Sequence, residues 1–246
     1  TQQWFDWMWY ITKQKEAILE RMSHFQHRLY LEVWGKFLYD GHASRVLPGF
    51  LPTSKEQIFA SLFDTMDIIF CINYDDIVDN RQLAKEDIDY TTYVTTMIND
   101  IATKVWKKPF IACNKCPRPQ PEQSAEQTTH MQQVDIFLAT LQAQWYQTYK
   151  RYMIPWYPHD TSKVLSTDWY WYDEYIPVQA QLVLVTGAAS NSGKMSTCLG
   201  QIYHEFTQQK DSGYAKYETF PIWNIPLKHP INLAYEAATA DIEDYN

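Results

Sequence analysis

The sequence has little positive charge, since its 21 Lys and Arg residues are outnumbered by 29 Asp and Glu residues. The formal net charge is −8, and the basic residues form no dense stripe along the chain. Proteins that bind nucleic acids or anionic membranes generally present basic surfaces. The composition therefore argues against both kinds of partner.

Long apolar segments and secretion signals are also missing. No apolar run approaches the roughly 20 residues that a membrane-spanning helix needs. The N-terminal segment, in which Asp6 lies among aromatic residues, lacks the basic start and the cleavage site of a signal peptide. Four cysteines in 246 residues do not form a disulfide framework. These absences predict a cytoplasmic protein.

Short apolar runs alternate with amphipathic segments along the chain. Strands are predicted at 29–33, 67–73, 109–112, 149–156, 182–185 and 213–220. Helices are predicted at 12–27, 54–64, 91–105, 122–147, 192–209 and 231–242. This alternation is typical of a mainly parallel sheet with helices on both faces. We therefore expect one α/β domain over residues 1–246, with a P-loop-like or Rossmann-like three-layer architecture.

Two smaller predictions concern connections and caps. The proline-rich segment 117–121 and the aromatic segment 157–178 are expected to be loops or connections. Ser54, with Gln57 three residues later, matches a capping box and predicts that Ser54 caps the helix at 54–64.

The strand at 182–185 is followed by a loop of small residues that ends in a lysine, and then by an amphipathic helix. Backbone N–H groups at a helix start, together with the helix dipole and a lysine, favour an anion. The pattern therefore predicts a phosphate or nucleotide site. Its residues would be Gly187, Ser190, Asn191, Ser192, Gly193 and Lys194.

The loop departs from a Walker A motif, which requires Gly, four residues and then Gly-Lys-Ser/Thr. Ala188 stands at the position of the first glycine, and Met195 replaces the hydroxyl that would hold Mg²⁺. The loop therefore does not support a standard Mg²⁺-dependent ATPase, and no metal site is predicted. The alternative is a small-residue turn in which Ser192 only caps the helix.

Two further loops follow predicted strands and carry side chains that suit an anion. Ligands of α/β proteins bind at the carboxyl ends of strands. The alternative is a set of solvated surface charges. The residues are Lys36, His42 and Arg45 in the first loop, and Lys228 and His229 in the second.

Three other motifs are interpreted as having no catalytic role. The C-x-x-C of Cys113 and Cys116 has no second pair to complete a zinc site, and Pro117 opposes the helix that a thioredoxin-type motif opens. A redox role would require a lowered thiol pKa. His204-Glu205 begins an H-E-x-x-H pattern that ends in glutamine. The acids after strand 67–73 are interpreted as cap or solvated loop residues.

Several stretches resemble the bacterial family known as domain of unknown function 1846. They are residues 29–50, with the run from His42 to Phe50; 68–73; 185–205, with Ser192-Gly193-Lys194; and 213–241. Residues 76–180 resemble the family weakly, and the loop at 187–191 has fewer glycines than the family's. Family members continue past Asn246, so the resemblance implies an N-terminal portion of a longer protein. The family has no established activity.

These observations lead us to expect a phosphate- or nucleotide-binding domain whose status as an enzyme is open. Phosphoryl transfer or NTP hydrolysis would be its natural chemistry. The alternative is a non-catalytic interaction or assembly domain, in which the small-faced helix 231–242 packs against a partner. The expected partners are a small phosphate ligand, and the missing C-terminal portion or a second copy of the chain.

Overall fold

The structure is a computed structural model that describes residues 7–33, 37–38, 51–83, 88–154 and 172–217, together with residues 159, 162, 166 and 170. The helix predicted at 231–242 lies outside the described residues. So do all five of the supporting site residues, Lys36, His42, Arg45, Lys228 and His229.

The described residues form eight strands and six α-helices. The strands are β1 (Arg28–Val33), β2 (Met66–Asn73), β3 (Gln82–Leu83), β4 (Ile88–Asp89), β5 (Phe110–Cys116), β6 (Thr148–Tyr152), β7 (Leu182–Gly187) and β8 (Ser212–Tyr217). The helices are α1 (Trp7–Ser23), α2 (Ser54–Ala60), α3 (Tyr74–Val78), α4 (Tyr90–Val105), α5 (Ala125–Ala143) and α6 (Lys194–Thr207). Among these helices, none combines the length and the hydropathy needed to cross a bilayer.

Six strands form one parallel sheet in the order β6-β5-β2-β7-β1-β8, while β3 and β4 form a separate antiparallel pair. Although β7 comes late in the chain, it lies in the centre of the sheet, between β1 and β2. All six carboxyl ends meet at one edge, which is where α/β proteins bind ligands. The predicted α/β fold is confirmed, and the strand order is consistent with a Rossmann-like architecture without being specific to it.

Both faces of the sheet are covered, because successive side chains of a strand point to opposite sides. On β1, Leu29 and Leu31 belong to the core beneath α1–α5. Tyr30 belongs to a second core, which includes Cys198 of α6 and Ile176 of the segment before β7. The sheet is thus the middle of three layers, as predicted.

Local structure differs from the sequence predictions in several places: α3, β3 and β4 were not predicted, and one helix cap and one strand end were predicted at the wrong residue. Thr53, rather than Ser54, is the N-cap residue of α2, and no side chain caps this helix. The Ser54 hydroxyl instead donates to the carbonyl of Leu51. Strand β5 extends to Cys116, beyond the predicted end at residue 112, because it continues to pair with β6 on its outer side.

Candidate functional site

A groove of about 550 Å³ opens at the carboxyl edge of the sheet. This volume lies within the range of small-molecule sites, about 300–1,000 Å³. Three strands, and the segments that follow two others, contribute to it. Its walls are formed by Glu32 of β1, Asp75 after β2, Asn114 and Lys115 of β5, residues 152–154 at the end of β6, and residues 191–196 in the loop after β7 and the first turn of α6.

Asn114 holds the loop between β7 and α6 against strand β5. Its Nδ2 donates to the Ser192 carbonyl over 2.8 Å, and its Oδ1 accepts from the Thr197 hydroxyl over 3.1 Å. Gly193 lies so close that an added Cβ would be 2.6 Å from Asn114 Cγ. Its φ of 82° is also in the left-handed region, where glycine is favoured. One buried amide therefore fixes the start of α6 relative to the sheet.

Gly187, at the other end of the loop, has no side chain and so leaves room for Ser192 to pack against it. A Cβ added there would lie 2.2 Å from the Ser192 hydroxyl oxygen and 2.9 Å from the carbonyl oxygen of Cys71. Ser192 is fully buried, and its Oγ has no hydrogen-bond partner within the described part of the chain. The N-cap of α6 is Gly193, without a side-chain cap. The interpretation of Ser192 as the helix cap is therefore wrong.

The loop retains free hydrogen-bond donors. The backbone N–H of Ala188 donates to the Cys71 carbonyl, and that of Thr197 donates to the Gly193 carbonyl. Among the described residues, no backbone N–H group of residues 189–196 donates a hydrogen bond. Donors at a helix start that are not used by the protein itself are available to an anion.

Lys194 is the first residue of α6, and its half-buried side chain lines the groove. Its Nζ lies 3.5 Å from the carbonyl oxygen of Ala189, which is a weak contact. No described carboxylate lies within ion-pair distance of this ammonium group. The positive charge is therefore available to a ligand.

Four of the six predicted site residues, those from Asn191 to Lys194, line the groove. Gly187 lies beneath Ser192, as described above, and Ser190 is exposed at the loop surface, outside the groove lining. Sequence reasoning missed Glu32 and Asn114 as site residues. A polar residue near the end of an apolar strand is the signal that could have indicated each of them.

The acids after β2 have mainly structural partners. Asp75 and Asp76 are in the first turn of α3, which is capped by the Asn73 side chain. Asp76 pairs with Arg81 at 3.3 Å, and the half-exposed Asp75 pairs with Lys115 at 3.5 Å. These acids were interpreted as cap or solvated loop residues; the structure instead places them in the first turn of a helix capped by Asn73, with Asp76 buried and Asp75 also lining the groove.

The two cysteines of the C-x-x-C motif lie on β5 with their sulfur atoms 3.6 Å apart, and both are buried as free thiols. The neighbouring Cys116 thiol and burial raise the pKa of Cys113 well above its ordinary value. Redox catalysis would require the opposite shift. The structure thus opposes the redox hypothesis. The described residues also contain no group of three or more His, Cys, Asp or Glu side chains that could bind a metal by themselves.

All four thiols are expected to resist alkylation in the native protein. Burial raises the pKa of Cys71 to about 11, from an ordinary value of 9.0. The thiolate fraction therefore falls about 100-fold, and burial hinders access further. Iodoacetamide labelling, followed by mass spectrometry, should be at least about 100-fold slower at Cys71 in native protein than in urea-unfolded protein. Rapid native labelling at Cys113 or Cys116 would restore the redox hypothesis.

Comparison with known proteins places the chain among uncharacterised bacterial proteins. The family model described as "Domain of unknown function DUF1846, N-terminal" matches residues 3–246. A UPF0371 protein of Clostridium tetani is 38% identical over 242 residues, covering 98% of this chain and 46% of the relative. UPF0371 proteins of Streptococcus equi subsp. equi (37% over 243 residues; 98% and 47%) and Fusobacterium nucleatum (36% over 238 residues; 96% and 44%) are similar. The chain thus spans a little under half the length of these relatives, whose names state no activity.

Proposed function

The chain belongs to the DUF1846 family, and we propose that its groove binds the phosphate group of a small molecule such as a nucleotide. The observation that carries the proposal is the set of unused backbone N–H groups at residues 189–196, at the start of a 14-residue helix. Anions bind at helix starts because the donors converge there and the helix dipole favours negative charge.

Lys194 supports the same proposal, because its ammonium group would neutralise part of the negative charge of the phosphate. It has no described ion-pair partner, and it lines the groove beside the free donors. A lysine at this position would bind a phosphate oxygen as a point charge. If the whole protein is an enzyme, phosphoryl transfer is the reaction class that such a site would serve.

Isothermal titration with inorganic phosphate, AMP and ATP tests the proposal directly. The wild-type protein should bind at least one of these ligands, and Lys194→Ala should weaken that binding about 10–100-fold. A hydrogen bond to a charged group contributes about 1.5–3 kcal/mol, which corresponds to this loss.

Lys210→Ala is the matched control, because this lysine follows the opposite end of α6 and is not in the groove lining. It removes the same charge and should bind ligand like the wild type. The absence of heat with all three ligands would contradict the proposal, as would equal affinity in the wild type and in Lys194→Ala. Either result would favour the alternative function, a non-catalytic assembly domain.

A further inference from the structure

Glu32 is a buried carboxylate in the wall of the groove, and the phosphate proposal does not use it. It is the penultimate residue of β1 and is only 7% exposed. Alternation along the strand places it on the same face as Tyr30, which is the face covered by α6. Its side chain therefore reaches the groove from below the start of that helix.

Glu32 forms no ion pair within the described part of the chain. The Tyr214 hydroxyl donates to Oε2 over 2.7 Å, and it is the only hydrogen-bond donor to this carboxylate among the described residues. No described Lys, Arg or His lies within ion-pair distance of it, although Lys216 of β8 is its neighbour in the strand register. Buried charges are normally paired or coordinate a metal. The carboxylate thus lacks the positive partner that its burial calls for.

Glu32 is close to the proposed phosphate position. It is in register with Val185 of β7, two residues before Gly187, where the loop begins. Neighbouring strands are about 4.8 Å apart. Lys194 would neutralise one charge of a bound phosphate dianion, and the remaining charge would repel this carboxylate unless a further cation lay between them.

We propose that a divalent cation of the Mg²⁺ type binds between the Glu32 carboxylate and the phosphate of the bound ligand, an inference that rests on the proposed function. Mg²⁺ is usually held by one or two carboxylates together with substrate phosphates and water, rather than by a set of protein ligands alone. Met195, which follows Lys194, has no hydroxyl that could hold Mg²⁺. The Glu32 carboxylate would supply an oxygen ligand instead. Ser192 also lines the groove, but its hydroxyl is buried against Gly187 and is not counted as a ligand.

The arrangement makes metal and phosphate binding depend on each other. The described residues hold no cluster of metal ligands of their own, so the cation should bind weakly without phosphate. Equilibrium dialysis with inorganic phosphate should show about 10-fold tighter binding when millimolar Mg²⁺ is added. Mn²⁺, followed by electron paramagnetic resonance, should become protein-bound only when phosphate is present.

Glu32→Gln should change the affinity for phosphate in opposite directions without and with Mg²⁺. Glutamine keeps the size of the side chain and an oxygen that accepts from Tyr214. Without Mg²⁺, the variant should bind phosphate about 2–5-fold more tightly than the wild type, because a like charge is removed. With Mg²⁺, it should bind more weakly than the wild type, because it no longer responds to the metal.

One control variant and one variant of the groove lining locate the Mg²⁺ response. Glu126→Gln changes an exposed residue in the first turn of α5, outside the groove lining, and should respond to Mg²⁺ like the wild type. Asp75→Asn removes the other carboxylate of the groove lining, which pairs with Lys115, and shows whether the Mg²⁺ response belongs to Asp75 instead of Glu32. Loss of the Mg²⁺ response in Asp75→Asn, with its retention in Glu32→Gln, would overturn the assignment to Glu32.

The two proposals fail in different ways. If phosphate binds and Lys194→Ala weakens it, but neither Mg²⁺ nor Mn²⁺ changes the binding, the cation site is wrong and the phosphate site remains. If phosphate binds neither with nor without metal, both are wrong. If Mn²⁺ binds equally well to wild type and Glu32→Gln, Glu32 is not a ligand.

Discussion

Glu205→Ala is expected to lower the free energy of unfolding by about 3–5 kcal/mol, because it leaves a buried arginine without its counterion. Glu205 is fully buried on α6, and Arg28 of β1 is 4% exposed. Arg28 Nη1 donates to Glu205 Oε1, and the hydroxyls of Tyr30 and Tyr175 donate to the same oxygen over 2.9 and 2.8 Å. The pair therefore joins the helix of the site to the sheet.

Chemical denaturation of wild type and variant measures this loss. Glu16→Ala is the control, since Glu16 pairs with Lys13 on the surface, where both side chains are more than half exposed. An exposed pair contributes little, so the control should change the free energy of unfolding by no more than about 0.5 kcal/mol. Similar small losses in both variants would show that the Arg28–Glu205 pair does not secure α6.

Gly193→Ala is expected to lower the free energy of unfolding by about 2–5 kcal/mol and to weaken phosphate binding. An alanine in the left-handed region costs about 1–2 kcal/mol. Its Cβ would also displace Asn114, with which it would clash, and overpacking adds about 1–3 kcal/mol. Because Asn114 holds the Ser192 carbonyl and the Thr197 hydroxyl, the start of α6 would move.

Denaturation and phosphate titration of the same variant check both parts of this expectation. Ser190→Ala is the matched control, because Ser190 is exposed in the same loop and outside the groove lining. It should leave the free energy of unfolding within about 0.5 kcal/mol of the wild type. Full stability in Gly193→Ala would mean that the loop does not require glycine at this position.

Hydrophobic patterning located the main elements of the fold correctly, with differences at their ends. The apolar runs at 182–185 and 67–73 lie within β7 and β2, and the periodic segment at 91–105 lies within α4. The pattern is informative because burial on both faces, or along one helical stripe, requires apolar residues at fixed intervals. Cap residues were harder to predict, as Ser54 and Ser192 show, because several neighbouring polar residues could serve as the N-cap.

The site was predicted only in part, for a physical reason. The loop before Lys194 is recognisable because small residues, a lysine and a helix follow one another in the chain. Asn114 and Glu32 carry no such local signal. Asn114 lies between the two cysteines of the C-x-x-C motif, and Glu32 is a single acidic residue near the end of an apolar strand, so neither stands in a recognisable phosphate-binding pattern.

By itself, the sequence determined the α/β class and the family, and it suggested the loop at 187–194 as the candidate anion site that we propose. Only the tertiary structure decided that β7 lies between β1 and β2, so that Glu32, Asn114 and Lys194 line one groove. Strand order depends on how helices far apart in the chain pack against the two faces of the sheet. No local pattern encodes that packing, whereas the apolar periodicity of each element is a property of its own residues.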